Sequence, residues 1–257
     1  MKCPKCSFEQ PDDTTECMRC GIVYEKYLKY YDAALVGKEL PVTDEKDVSN
    51  FRNLVKNLLL YVPDEINPFI FYTRVLFFLI FFIWGLKFIF SPLEANYAGY
   101  SFWHLVNLPF HEAGHIFFRP LGRLMTSLGG SIGQLLMPLI CLIVFVVKTK
   151  DTFAASFSLW WFAENWMDMA PYMNDARSLS MPLLGGNTGP SSPYGFHDWE
   201  YILNELGMLR YDHTVASISH NIGITLMIAS FIWGGYLLFK QYKISAGQPV
   251  KGFGPNR

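Results

Sequence analysis

One stretch organises the chain, Pro109-Phe110-His111-Glu112-Ala113-Gly114-His115-Ile116-Phe117-Phe118. Positions i and i+4 of a helix share a face, so His111 and His115 can bind one metal ion together. Glu112 then lies beside that ion, where it can take a proton from water. The flanks are apolar and aromatic, and ionisable side chains are costly in a membrane. Their presence in such a segment therefore indicates a functional site.

The charges are unevenly distributed along the chain. Residues 1–66 carry 21 of the 43 Asp, Glu, Lys and Arg residues, although the chain has 257 residues. The composition is 51% hydrophobic and 17% aromatic. This pattern predicts a soluble head on a membrane body, with lipid as a partner. The net charge of −1 gives no basic surface, so nucleic acid is not expected as a partner.

The head contains four of the five cysteines, arranged as two CxxC pairs: Cys3, Cys6, Cys17 and Cys20. Two such pairs can close a tetrahedral four-thiolate site, and in so small a segment the metal supplies the folding energy. The sequence therefore predicts a zinc ribbon over residues 1–24. Its role is either a docking module for a protein partner or a folded cap. The N-terminus lacks the pattern of a secretory signal, so we expect a cytoplasmic ribbon with reduced thiols.

The rest of the chain predicts an all-α polytopic membrane protein with four or five transmembrane helices. Apolar segments at 69–90, 101–118, 124–147, 152–171 and 214–239 are the candidates. The glycine-rich start of the third segment can either pack closely or unwind, which leaves the topology of 119–151 open. Residues 25–66 form a charged linker with an amphipathic helix, residues 67–244 the membrane domain, and residues 245–257 a flexible tail.

The sequence His111-Glu112-Ala113-Gly114-His115, followed by Gly129-Gly130-Ser131 and Gln134, resembles the site-2 protease family of intramembrane zinc metallopeptidases. The resemblance covers about residues 100–180. It implies zinc held by both histidines, with Glu112 as the catalytic base and a membrane-protein or peptide substrate. The family takes a third ligand, an aspartate, from a later helix. Asp175 is the nearest match to that pattern, although the flanking residues differ.

His197 is another candidate for the third zinc ligand, because an imidazole nitrogen binds zinc well. We expect one of Asp175 and His197 to complete the site. Asp198 and Arg177 are candidates for its outer shell, with Arg177 either stabilising an oxyanion or pairing with Asp175. We interpret Glu164, Asn165 and Asp168 as interhelical hydrogen-bonding residues and His104 as a packed or interfacial histidine.

Together these observations predict a membrane-embedded zinc metalloprotease with one catalytic and one structural zinc. It would be an integral membrane protein, of the bacterial inner membrane, that cleaves peptide bonds within or next to the membrane. The alternative is a non-proteolytic membrane zinc-binding protein, either an inactive relative or an adaptor working through its ribbon. A membrane di-iron oxygenase is disfavoured, because six histidines in this arrangement do not form the required clusters.

Overall fold

The computed structural model describes residues 1–28, 53–184 and 186–247. The chain divides into two compact units, Met1–Val55 and Lys56–Arg257. Most of the predicted charged linker and of the predicted tail lies outside the described residues. The described residues are mostly helical and include no named strand, only isolated bridges. This agrees with the all-α expectation.

The first unit is built from two similar turns, one around each cysteine pair. In the first turn the Ser7 amide donates to the Cys3 carbonyl, and in the second the Gly21 amide donates to the Cys17 carbonyl. Ser7 and Gly21 both have a positive φ, of 60° and 68°. Gly21 accepts that conformation without steric cost, because it has no Cβ. Cys3 and Cys17 are buried together with Tyr24 in a small core.

From Pro68 onward, the described part of the second unit contains six α-helices, which we number in chain order. They are α1 (Pro68–Phe90), α2 (Phe102–Phe118), α3 (Arg123–Val144), α4 (Thr152–Asn174), α5 (Asp198–Glu205) and α6 (Asp212–Gly247). A π-helical turn, Phe145–Thr149, extends α3. Side chains cap several starts: Asn67, Ser101 and Asp151 each accept an amide hydrogen at the start of α1, α2 and α4.

Three helices among the described residues are long and apolar enough to cross a membrane. They are Pro68–Phe90, Arg123–Thr149 and Leu209–Ala246. Much of the α1 surface is apolar and exposed, as Phe69, Leu76 and Ile83 illustrate. Helix α4 is more deeply buried and packs along α6, where Trp160, Ala163 and Met167 join one core cluster.

Glycines set the distance between α2 and α3. A Cβ at Gly114 would collide with the Gly129 carbonyl, and one at Gly133 would collide with the Phe110 carbonyl. Backbones can approach this closely only where no side chain intervenes. The glycine-rich segment is therefore a continuous helix that packs closely, rather than an unwound one.

A short helix precedes the first long helix. It covers residues 53–59, near the end of the stretch predicted as a charged linker. Three side chains of α4 and α6 then bind consecutive carbonyls: Trp233 binds Leu59, Lys240 binds Leu60 and Thr152 binds Tyr61. The end of the predicted linker is thus attached to the helical body.

Candidate metal centre

The two histidines of α2 converge on one carboxylate oxygen. Oδ2 of Asp198 lies 3.3 Å from Nε2 of His111 and 3.3 Å from Nε2 of His115. The three side chains are largely buried, with 13%, 22% and 12% of the surface of His111, His115 and Asp198 exposed. The HExxH motif thus lies on a helix as predicted, and His111, Glu112 and His115 form a group that could hold a metal ion.

The far side of each imidazole is held by an oxygen of α3. Nδ1 of His111 lies 2.7 Å from Oε1 of Gln134, and Nδ1 of His115 lies 2.8 Å from the Thr126 carbonyl. An acceptor at Nδ1 keeps the hydrogen on that nitrogen in a neutral imidazole. Both Nε2 atoms are then free to present a lone pair to the same point.

Gly130 leaves the space that the two imidazoles occupy. A Cβ there would lie 2.5 Å from Nε2 of His111 and 2.7 Å from Cε1 of His115. We expect Gly130→Ala to lower metal binding by the histidines without unfolding the helices, because the colliding atoms are side-chain rings that can rotate away. Metal content and the thermal unfolding midpoint in detergent measure the two effects separately.

Gly235→Ala is the matched control, since its Cβ would lie 3.6 Å from the nearest atom, Cζ of Phe78. Alanine favours a helix over glycine by ~1 kcal/mol, so this variant should keep its metal and its stability. Full metal binding by the Gly130→Ala variant would contradict the close fit.

Asp198 is placed by the start of α5. It is the first residue of that helix, after the N-cap residue His197, and its amide donates to the Tyr172 hydroxyl at 3.0 Å. Burial alone would raise the pKa of Asp198. The adjacent His111 and His115 imidazoles outweigh that effect, so the pKa of Asp198 lies below its ordinary value.

The structure does not bring Asp175 or His197 to the two histidines. Asp175 ends α4 and accepts hydrogen bonds from Ser178, Ser180 and Met181, which organise the following loop. These bonds outweigh burial and lower the pKa of Asp175. Both carboxylate oxygens of Asp175 are therefore used in hydrogen bonds to its own loop rather than directed at His111 and His115.

His197 acts within its own segment. Its Nδ1 accepts a hydrogen bond from the Glu200 amide as the N-cap of α5, and its ring packs at an angle against Tyr172 with a centroid distance of 4.1 Å. Its Nε2 lies 3.5 Å from Oδ2 of Asp175. Burial lowers the pKa of His197, which favours the neutral ring. His197 and Asp175 therefore position the segment that carries Asp198.

Arg177 binds a different carboxylate from the one expected. Its guanidinium lies 2.7 Å from Oδ1 of Asp212, a fully buried residue, rather than pairing with Asp175. A buried carboxylate requires a cation more strongly than Asp175, which loop amides and hydroxyls already satisfy. The pair fixes the start of α6 to the end of α4.

The metal centre opens into a cavity of about 870 Å³ in the second unit. Glu112, Tyr172 and His104 line it, together with the loop residues Met181 and Phe196. Neither Asp175 nor His197 is among the residues that line it. The volume lies within the range of ligand-binding sites in proteins, so the centre is accessible to a molecule larger than water.

A second polar cluster lies deeper in the body. Nδ2 of Asn107 donates to Oε2 of Glu164 at 2.8 Å and to Oδ2 of Asp168 at 3.1 Å. Oδ1 of Asp168 lies 2.9 Å from Nδ1 of His104. These are interhelical hydrogen bonds of the predicted kind, but His104 belongs to them rather than being a packed histidine alone.

The four thiols of the first unit form a separate group that could hold a metal ion. Sγ of Cys3 lies 3.7 Å from Sγ of Cys20, and Sγ of Cys6 lies 3.6 Å from Sγ of Cys17. Burial alone would raise the pKa of Cys17, but the amides of Cys20 and Arg19 outweigh it and lower the pKa to about 6. Cys17 is therefore readily available as a thiolate.

Sequence reasoning missed three features of the centre. It placed Asp198 in the outer shell, overlooked Tyr172, and did not foresee the Thr126 carbonyl behind His115. Every residue has a backbone carbonyl, so the sequence does not show which one will accept a hydrogen bond from His115. The position of Asp198 next to His197 and before a short amphipathic helix was the available signal.

Comparison with known proteins adds no relative: the chain matches no family model, no curated protein and no solved structure.

Proposed function

We propose that this protein is a membrane-embedded zinc metallopeptidase whose catalytic zinc is held by His111, His115 and Asp198. The observation that carries the proposal is the shared 3.3 Å distance from Oδ2 of Asp198 to both Nε2 atoms. Zinc bonds to nitrogen and oxygen are about 2.0–2.2 Å long, so the edges of a zinc tetrahedron are about 3.3–3.6 Å. The two distances from Asp198 therefore suit two edges of such a tetrahedron, and three protein ligands would leave a fourth position for water.

The surrounding shell supports the same assignment. Histidines that bind zinc almost always donate their other ring N–H to an oxygen, as Gln134 and Thr126 allow here. The proposal keeps the resemblance to the site-2 protease family, with Asp198 in the place of the aspartate ligand. Asp198 comes from a short helix beyond the segment of resemblance, which is a departure from the family pattern.

Glu112 and Tyr172 supply the protein's own chemistry at this centre. Zinc, when bound, acidifies water and polarises the peptide carbonyl. Glu112 takes the proton from the attacking water as its oxygen bonds to the carbonyl carbon. Glu112 then gives the proton to the amine nitrogen as the C–N bond breaks. The Tyr172 hydroxyl accepts the Asp198 amide, so its own hydrogen can be donated to the oxygen that gains negative charge.

The membrane setting follows from the same helices. We assign α2 and α4 to the membrane beside the three apolar spans, which gives five membrane helices. Exposed Ile116 and Phe117 on α2 support lipid contact there, at 75% and 84% exposure. The substrate is then a peptide chain that enters the cavity within or next to the membrane, and the ribbon is cytoplasmic.

The ribbon holds the second, structural zinc in this proposal. Zinc–sulfur bonds are about 2.3 Å long, so a tetrahedron of thiolates has edges of about 3.8 Å. The Sγ distances of 3.7 and 3.6 Å suit this geometry. Its partner, if it docks one, is a protein.

Metal analysis of the purified protein tests the two sites together. We expect about two zinc equivalents for the wild type, one in the four-cysteine site and one in the site with three protein ligands. Cys3→Ser with Cys6→Ser, or His111→Ala alone, should each remove one equivalent, because neither ion shares a ligand with the other. A single equivalent lost only with the cysteines would contradict the catalytic site.

Tyr172→Phe tests the proposed oxyanion donor. Removing one such donor lowers kcat by about 10²–10³-fold in characterised enzymes, and we expect a loss of this size. The zinc content should stay at the wild-type value, because the ring still packs against His197. Phe196→Leu is the control for a cavity-lining aromatic that lacks a hydroxyl; it should affect KM more than kcat. Unchanged kcat in Tyr172→Phe would remove the residue from the chemistry.

A further inference from the structure

The polar cluster below the metal centre has a fixed hydrogen-bond pattern. The Trp161 indole only donates, and it donates to Oδ1 of Asn107 at 2.8 Å. This fixes the Asn107 amide, whose Nδ2 then faces Glu164 and Asp168. Asn165 also donates to Oδ1 of Asn107, so both ends of that amide are fully used.

Two oxygens of the cluster have no partner among the described residues. They are Oε1 of Glu164 and Oδ1 of Asn165, and both residues are fully buried. Buried acceptors are almost always satisfied, so bare oxygens indicate something that the side chains alone do not supply. A proton on Glu164 is the simplest candidate, because it removes the charge of a fully buried carboxylate.

The two carboxylates cannot both be ionised at low cost. Each has an oxygen within 3.1 Å of the same Asn107 nitrogen. They are also four residues apart on one helix, which places them on one face. Like charges at such separation, away from water, favour retention of one proton. Asp168 has the His104 imidazole at its other oxygen, whereas Glu164 has no such partner.

Asp168 is the charged group that acts on Glu164 among the described residues. The neighbours that α6 and α1 pack against α4 at Ala163 and Met167 are not ionisable: Gly223, Met227 and Phe88. We therefore treat Glu164, Asp168 and His104 as the groups that set the charge of the cluster.

We propose that Glu164 and Asp168 form a proton-binding site that holds one proton at Glu164 and exchanges it with the cavity through His104. The side chain of His104 is 39% exposed and lines the cavity. When Glu164 has lost its proton, Nε2 of His104 takes one from the cavity while Nδ1 releases one to Oδ1 of Asp168. Asp168 then gives up a proton to the ionised Glu164 beside the Asn107 amide that both carboxylates contact, and His104 is again neutral. The reverse steps return the proton of Glu164 to the cavity.

The site lies close to the metal centre along the same helix. Asn107 precedes His111 by four residues on α2, so the two side chains share a face. Loss of the proton would place a second negative charge beside Asn107. The resulting repulsion between the two carboxylates would disturb Asn107 and therefore α2, the helix that carries His111 and His115.

Infrared spectroscopy of the full-length protein in lipid tests the proposal without an activity assay. We expect a carboxylic-acid C=O band at neutral pH that Glu164→Gln abolishes. Glu164→Asp should shift the band rather than remove it, which guards against misfolding of the first variant. Asp151→Asn is the control, because Asp151 is an ion-paired carboxylate at the start of α4 and should not contribute. A wild-type protein without the band, or a band unmoved by both Glu164 variants, overturns the proposal.

Hydrogen exchange tests the route. On transfer to D₂O the band should shift quickly in the wild type and slowly in His104→Phe, because the phenylalanine ring cannot take up and release a proton. Equal rates in the two proteins overturn the role of His104. A band that is absent in sodium buffer but present without sodium would assign the site to a metal cation, and it also overturns the proposal.

Discussion

Asp198→Ala should remove the metal from the histidine centre while the ribbon keeps its own. The Asp198 carboxylate contacts both His111 and His115. In the proposed site it is a direct ligand, and alanine offers no atom that could take its place. Loss of an outer-shell partner alone costs about 10–100-fold in metal affinity, so loss of a direct ligand should cost more. Zinc content should therefore fall to about one equivalent, and peptide cleavage should be lost with it.

Two further variants make this result specific. Glu200→Gln removes another carboxylate from the first turn of α5, where acidic residues favour the helix, without touching the histidines. It should retain both ions. Asp175→Asn should also retain both, because Asp175 binds its own loop. If Asp175→Asn loses the ion and Asp198→Ala keeps it, the ligand assignment is wrong.

Glu112→Gln should abolish cleavage and leave the zinc content unchanged. The amide has the shape of the carboxylate but cannot accept a proton from water. Positioned acids and bases contribute about 10²–10⁴-fold to rate, and the loss should fall at or beyond that range because the same group serves both proton transfers. Cleavage of dye-labelled casein by the protein in detergent or liposomes provides the measurement.

The companion variant is Glu94→Gln, which removes a glutamate of the short helix before α2 that does not line the cavity. It should cleave as the wild type does. A Glu112→Gln protein that retains zinc and full cleavage would refute peptide hydrolysis at this centre. A wild-type protein that binds zinc there but cleaves nothing favours the non-proteolytic alternative.

The sequence allowed most of the helices to be predicted, because each depends on local signals. The apolar run of α1, the motif on α2 and the paired cysteines are each readable within about twenty residues. Local signals did not predict whether the chain is helical through Gly129 and Gly130, since glycine suits close packing and unwinding equally. Packing against Gly114 decides between them, and that contact depends on another helix.

Which candidate side chain would lie beside His111 and His115 could not be predicted, because it depends on how a loop closes. Asp175, His197 and Asp198 are all plausible zinc ligands by residue type. Their roles diverge only when the Ser180 and Met181 amides bind Asp175 and the Glu200 amide binds His197. Asp198 is then the carboxylate left to face the cavity. A resemblance that placed the aspartate on α4 could not reveal this.

The position of Asp198 would give the proposed metal ion a structural role as well as a chemical one. His115 and Asp198 are 83 residues apart in the chain. An ion bound to both would cross-link α2 to α5 across that interval, and such cross-links stabilise most where the intervening chain is long. Loss of the ion would remove this cross-link, whereas α2 and α3 would still be joined by their glycine-mediated packing.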